Sequence, residues 1–170
     1  MEVIKTKIEG VFIIKPKVFG DSRGYFYESY NQEEFNRKVA NVVFVQDNES
    51  FSKYGVIRGL HFQKPPFEQA KLVRCVKGRV LDVAVDIRKD SPTYGQYVSV
   101  ELSSENHTQF FLPRGMAHGF SVLSPEAIFS YKCDNFYNPS SEGSFKWNDP
   151  TFGVDWKIPA DKIILSEKDK

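Results

Sequence analysis

The stretch Lys71–Arg88, KLVRCVKGRVLDVAVDIR, decides the fold class. Leu81, Val83, Val85 and Ile87 alternate with Val80, Asp82, Ala84 and Asp86, a period of two that sends successive side chains to opposite faces of a strand. Lys77-Gly78 stands between two β-branched runs and predicts a hairpin turn. Working outward, QYVSVEL (96–102) and AIFSYKC (127–133) read as strands. TQFFLPRGMAHGFSVLS (108–124) reads as two short strands broken by a Pro-Arg-Gly turn. VFIIKPKVF (11–19) and VVFVQDN (42–48) supply strands nearer the N-terminus. Helix is scarce: NQEEFNRKV (31–39), with Asn31 as N-cap and acidic residues in its first turn, is the main candidate. From Asn148 onward, Pro and Gly punctuate the tail, which reads as loops plus a short turn. Many short strands with frequent turns predict an all-β sandwich or barrel with few short helices.

At 170 residues the chain reads as one domain, 1–170, large enough to bury a core. A net charge of +1 gives no nucleic-acid footprint and no membrane-steering surface. No apolar run approaches the roughly 20 residues of a spanning helix, and the N-terminal stretch lacks a signal-peptide layout. Two cysteines, Cys75 and Cys133, are too few for a disulfide scaffold and lack zinc-type spacing, which predicts a cytoplasmic protein with free thiols. Aromatic residues make up 15% of the chain, with 15 Phe, 8 Tyr and 2 Trp, which suits either a β-rich core or a ring-binding pocket.

Chemistry has few carriers. Of the three histidines, His107 lies in the polar connection SSENHTQ and reads as a surface residue. His61, in RGLHFQ, and His118, in MAHGFS, sit beside glycine in strand-like apolar surroundings, and each taken singly reads as a core histidine. Position 63 is Gln63, so the His-x-His pair of a barrel metal site is missing and no metal is expected. No Gly-rich phosphate loop or nucleophile elbow is present. What remains is a set suited to proton abstraction beside a carbonyl: a histidine base, a lysine (Lys71) or His118 for the developing enolate oxygen, and a tyrosine (Tyr131) to return a proton. Arg23 and Arg58 suit an anionic handle such as a diphosphate.

The order of DSRGYFYESYN, VQDNES, VIRGLHFQ, PPFEQAKLVRCVKGRVLDVAVDIR, SPTYGQ, LPRGMAHGF, YKCDNFYNPSSEG, WNDPTFGVDW and LSEKD resembles the dTDP-4-dehydrorhamnose 3,5-epimerases nearly end to end. DWKIP departs from the family's commoner Trp-Pro step. The resemblance implies a cupin-type jelly-roll barrel, a homodimer with no metal or organic cofactor, and a dTDP-linked 4-keto-6-deoxyhexose as substrate. It implies epimerisation at carbons 3 and 5 within dTDP-L-rhamnose or related deoxysugar biosynthesis. The rivals are an epimerase acting at one position, a 3,4-ketoisomerase, and a catalytically silent sugar-binding jelly roll. By the same resemblance His61 is the base, Asp169 the carboxylate that orients it, Tyr131 the proton donor, and Lys71 the cation near the keto oxygen. Arg23, Phe26, Glu28, Gln46, Asn48, Arg58, His118, Glu142 and Lys168 match substrate-binding positions, and Tyr137 the aromatic that stacks on thymine. The role of Asp169 requires the tail to fold back over the barrel mouth.

Overall fold

The computed structural model describes residues 1–170. Thirteen strands form two facing antiparallel sheets and a small ribbon. One wall of the jelly-roll barrel has the order β1-β2-β10-β7-β12-β5: β1 (Glu2–Lys5), β2 (Phe12–Lys15), β5 (Gln46–Lys53), β7 (Lys71–Lys77), β10 (Gln109–Leu112) and β12 (Glu126–Cys133). The other has the order β13-β6-β11-β8-β9: β6 (Ile57–Gln63), β8 (Arg79–Asp86), β9 (Tyr97–Ser103), β11 (Met116–Val122) and β13 (Glu142–Ser144). The ribbon pairs β3 (Phe19–Asp21) with β4 (Gly24–Phe26).

The alternation read in Lys71–Arg88 is present, but the hairpin predicted at Lys77-Gly78 is not. β7 and β8 belong to different sheets, so the chain crosses from one wall to the other at Gly78. Gly78 has φ +80°, and a Cβ there would lie 2.1 Å from the Glu126 carbonyl oxygen. The glycine therefore serves a tight corner against β12 rather than a two-residue loop. Burial on both faces explains the long apolar run. Val80 and Ala84 join Val73, Phe110, Phe120 and Phe129 between the sheets. Leu81, Val83 and Val85 face outward against Phe152 and Trp156 of the C-terminal segment. Removal of each such large side chain from water contributes about 1.5–3 kcal/mol. The predicted strand at VVFVQDN begins only at Gln46, because the residues before it pack beside the helix instead.

The predicted helix is α1 (Gln32–Lys38), with the Glu34 backbone N–H donating to Asn31 Oδ1 at 3.1 Å. Its one buried residue, Phe35, covers Ile14, Leu72 and Phe111 on the outer face of the first wall. No helix is long and apolar enough to cross a membrane. Cys75 and Cys133 are both buried free thiols. His107, read as a surface residue, is half-buried with its ring 4.6 Å from that of Tyr25 and 5.0 Å from that of Tyr27.

Two irregularities position the site. In the β6–β11 pairing, His61 faces His118 and Arg58 faces Phe120, so Gly59 and Leu60 together oppose Gly119 alone. This bulge turns the strand: Ile57 and Leu60 both pack outward, while Arg58 and His61 both line the interior cavity. A Cβ on Gly59, which has φ +142°, would lie 2.6 Å from Gly119 Cα, so only glycine fits this approach. The second irregularity is the tail. Ile164 exchanges backbone hydrogen bonds with Gly55 and Ile57, and the 3₁₀ turn Glu167–Asp169 then folds onto β6.

Candidate active site

Arg58, His61 and His118 come from one wall and Asn48, Lys71 and Tyr131 from the other. With the tail residues Ser166, Lys168 and Asp169, they line a cavity of about 440 Å³. Asp169, whose side chain is 4% exposed, lies with Oδ1 2.5 Å from His61 Nε2. Nε2–H therefore donates to the carboxylate, and Nδ1 makes no hydrogen bond within the chain. Burial pulls the His61 pKa below its ordinary value, and Asp169 offsets only part of that. The ring is thus neutral near pH 7, the state a base needs.

Tyr131 stands on the opposite wall, paired across the sheet with Asn48. Burial raises its pKa, so the phenol holds its proton. The Lys71 Nζ lies 5.3 Å from the centre of the Tyr131 ring, and burial lowers the lysine pKa. His118 Nε2 is 2.8 Å from Asp82 Oδ1, and its ring centre is 6.3 Å from that of Tyr131. At the rim, the Tyr137 hydroxyl donates to Glu142 at 3.2 Å, and its backbone N–H donates to Gln46 at 3.0 Å. Lys168 is ion-paired with the same Glu142; the lysine is the main reason the carboxyl is held below its usual range. A larger cavity, about 720 Å³, opens beyond Lys71 and is lined by Phe62, Met116 and Phe145, among others. The acid-base groups collect in the smaller one. No group of three or more His, Cys, Asp or Glu side chains is arranged to hold a metal ion.

The structure thus brings His61, Asp169, Tyr131, Lys71, Asn48, Arg58, His118 and Lys168 to one cavity, with Gln46, Tyr137 and Glu142 linked at its edge. The remaining three stand apart. Arg23, with its side chain 88% exposed, pairs with Asp21 on the ribbon. Phe26 is 70% exposed. Glu28 accepts a hydrogen bond from Asn31 beside the helix. Sequence reasoning missed Glu49, Ser50, Ser166 and Asp82. Asp82 left a signal, since it is a carboxylate flanked by Val80 and Ala84 on one face of β8.

The sequence profile described as dTDP-4-dehydrorhamnose 3,5-epimerase matches residues 5–170. The chain belongs to the dTDP-4-dehydrorhamnose 3,5-epimerase family. The family member from Salmonella typhimurium is 59% identical over 157 residues, covering 92% of this chain and 86% of that one. The crystal structure of the epimerase from Elizabethkingia anophelis has a TM-score of 0.95 at 58% identity, over 99% of this chain and 93% of that one. A dTDP-6-deoxy-D-glucose-3,5-epimerase from Legionella pneumophila, solved in complex with dTDP-4-keto-L-rhamnose, also has a TM-score of 0.95, at 48% identity over 99% of this chain and 89% of that one. Members of this epimerase family are isomerases, and the expected jelly roll is the architecture found here.

Proposed function

We propose that residues 1–170 form one epimerase domain that inverts carbons 3 and 5 of a dTDP-linked 4-keto-6-deoxyhexose, converting dTDP-4-dehydro-6-deoxy-D-glucose to dTDP-4-dehydro-L-rhamnose. One observation carries the reading: a carboxylate-held histidine and a protonated tyrosine project from opposite walls into one cavity. The 4-keto group acidifies the hydrogens on carbons 3 and 5. His61 Nδ1 takes the proton, the C–H electrons form the C=C bond, and the carbonyl electrons collect on the oxygen beside Lys71. Tyr131 then delivers its proton to the other face of the carbon, which inverts it, and the imidazolium and phenolate exchange protons with solvent before the second centre reacts. Arg58 and Lys168 suit the diphosphate, and the exposed Tyr137 ring suits thymine.

Turnover in deuterated water, followed by NMR at carbons 3 and 5, tests this. Label at both carbons is the expected result. Label at one reduces the reading to a single-position epimerase, and tight binding without label makes the chain a silent sugar-binding module.

The same reading makes the chain a homodimer. The ribbon leaves Phe19, Tyr25 and Phe26 more than half exposed, and a second copy would cover them and place Arg23, Phe26 and Glu28 at a nucleotide. Light scattering on the eluted protein gives the mass; a monomer at micromolar concentration counts against it. Buried free thiols and a nucleotide-sugar substrate suit a cytoplasmic location.

A further inference from the structure

Asp82 is the least explained charged group in the molecule. It has no exposed surface. One carboxylate oxygen accepts from His118 Nε2 at 2.8 Å, and the other, Oδ2, is buried with no hydrogen-bond partner. An uncompensated buried carboxylate costs several kcal/mol in general, so a group of this kind persists only where its surroundings or its function use the charge. Burial raises the Asp82 pKa, while the fields of His118 and then Lys71 oppose that rise. The two basic groups that share this carboxylate both line the cavity.

The register shows a second regularity. His118 and His61 are direct cross-strand partners. Each ring uses Nε2 toward a carboxylate Oδ1, and neither Nδ1 has a partner in the chain. The cavity therefore has two aspartate-held imidazoles side by side on one wall, each with Nδ1 unclaimed. Only one is needed as the carbon base.

We propose that Asp82 is a positioning residue that acts through His118: it accepts from Nε2–H and so favours the imidazolium, whose Nδ1–H donates to the carbon-4 oxygen, where the enolate charge gathers. This deepens the function proposed above and rests on it. Charge accounting supports it. With both basic groups protonated, Lys71 and His118 bring two positive charges and Asp82 one negative, and the enolate oxygen supplies the second negative charge. The cluster is thus closest to neutral at the moment of proton abstraction, which favours the transition state over the bound ketone. Because carbons 3 and 5 flank the same oxygen, the arrangement serves both inversions.

The test is Asp82→Asn in the full chain, alone and combined with His118→Asn. Asparagine keeps the volume and removes the charge. The expected result is a kcat lower by about 10²-fold or more, with KM and dTDP affinity within a factor of three. The primary deuterium isotope effect at carbons 3 and 5 should rise together, because abstraction becomes slower at both. A merely smaller folded fraction would leave that isotope effect unchanged and would lower dTDP stoichiometry. In the His118→Asn background, Asp82→Asn should add less than threefold. A kcat near wild type, or a full multiplicative loss in the double variant, overturns the proposal. So does ¹⁵N NMR of the wild-type protein if neutral His118 carries its proton on Nδ1, a measurement that stands even if no variant folds and needs no substrate. Failure of the wild type to turn over the 4-keto sugar sinks the activity reading instead.

Discussion

Replacing Asp169 by asparagine removes one negative charge from the partner of His61 and little else. The side chain is buried, its Oδ1 sits 2.5 Å from Nε2, and asparagine can occupy the same volume. Hydrogen bonds to charged groups contribute about 1.5–3 kcal/mol. At about 1.4 kcal/mol per factor of ten, a strengthening of that size as the neutral ring becomes the imidazolium is worth about 10- to 150-fold in rate. That loss is expected in kcat/KM at pH 7. The pH profile carries the sign. Burial already lowers the His61 pKa and Asp169 opposes the shift, so the charge removal should push it lower still. The acid limb of kcat/KM should move to lower pH in Asp169→Asn while the plateau falls, because a less basic imidazole is a weaker proton acceptor. Initial rates across pH 5 to 9, with dTDP titration to count folded sites, measure both. A variant within threefold of wild type, with its acid limb unmoved, would show that the tail carboxylate does not assist the base.

Other predictions follow from neighbouring contacts. Tyr131→Phe keeps the ring against Phe129 and Lys71 but removes the proton; product formation should fall about 10²- to 10⁴-fold, while substrate hydrogen exchange in deuterated water falls less, since His61 can trade the proton it took for a solvent deuteron and return that to the same face. Asp86 is a stability site: burial alone would raise its pKa, but Arg88, Ser91 and Thr93 more than offset that and hold it down to about 2, from 3.8. At about 1.4 kcal/mol per pH unit this is worth about 2.5 kcal/mol, present above pH 3.8 and lost as pH falls toward 2. Denaturant melts of Asp86→Asn should show that deficit at pH 7 and a closing gap in acid. Trp156→Ala empties a large site between the tail and β6, with an expected loss of about 3–5 kcal/mol by urea unfolding; unchanged stability would mean the tail does not seal the outer wall.

The strands and the helix were legible because each rests on local chemistry: β8 on alternation, α1 on an Asn31 cap and a charge-ordered surface. The partnering of strands was not. Gly78 looks locally like a hairpin glycine, and what makes it a crossover is the carbonyl of Glu126, a residue far along the chain. The site residues were named through whole motifs rather than through period. Alternation puts Arg58 and His61 on opposite faces of β6, and only the pairing with β11 reveals the bulge that reunites them. Asp82 was visible as an ionisable group in an apolar run, yet its meaning depends on His118, a sheet neighbour.

That bulge is a phase slip of half a period in the side-chain rhythm of β6. Upstream of Gly59 the strand keeps one beat, downstream the other, and the cavity spans the slip. Shortening β6 by one residue at this point would not trim the site but invert it. Arg58 would stay on the interior while His61, Phe62 and Gln63 exchanged faces, leaving the imidazole under the C-terminal segment. The catalytic wall is therefore specified as much by a count of backbone units as by the identity of any side chain. Families that differ by a single insertion on this strand would share a fold and still present different chemistry to the barrel.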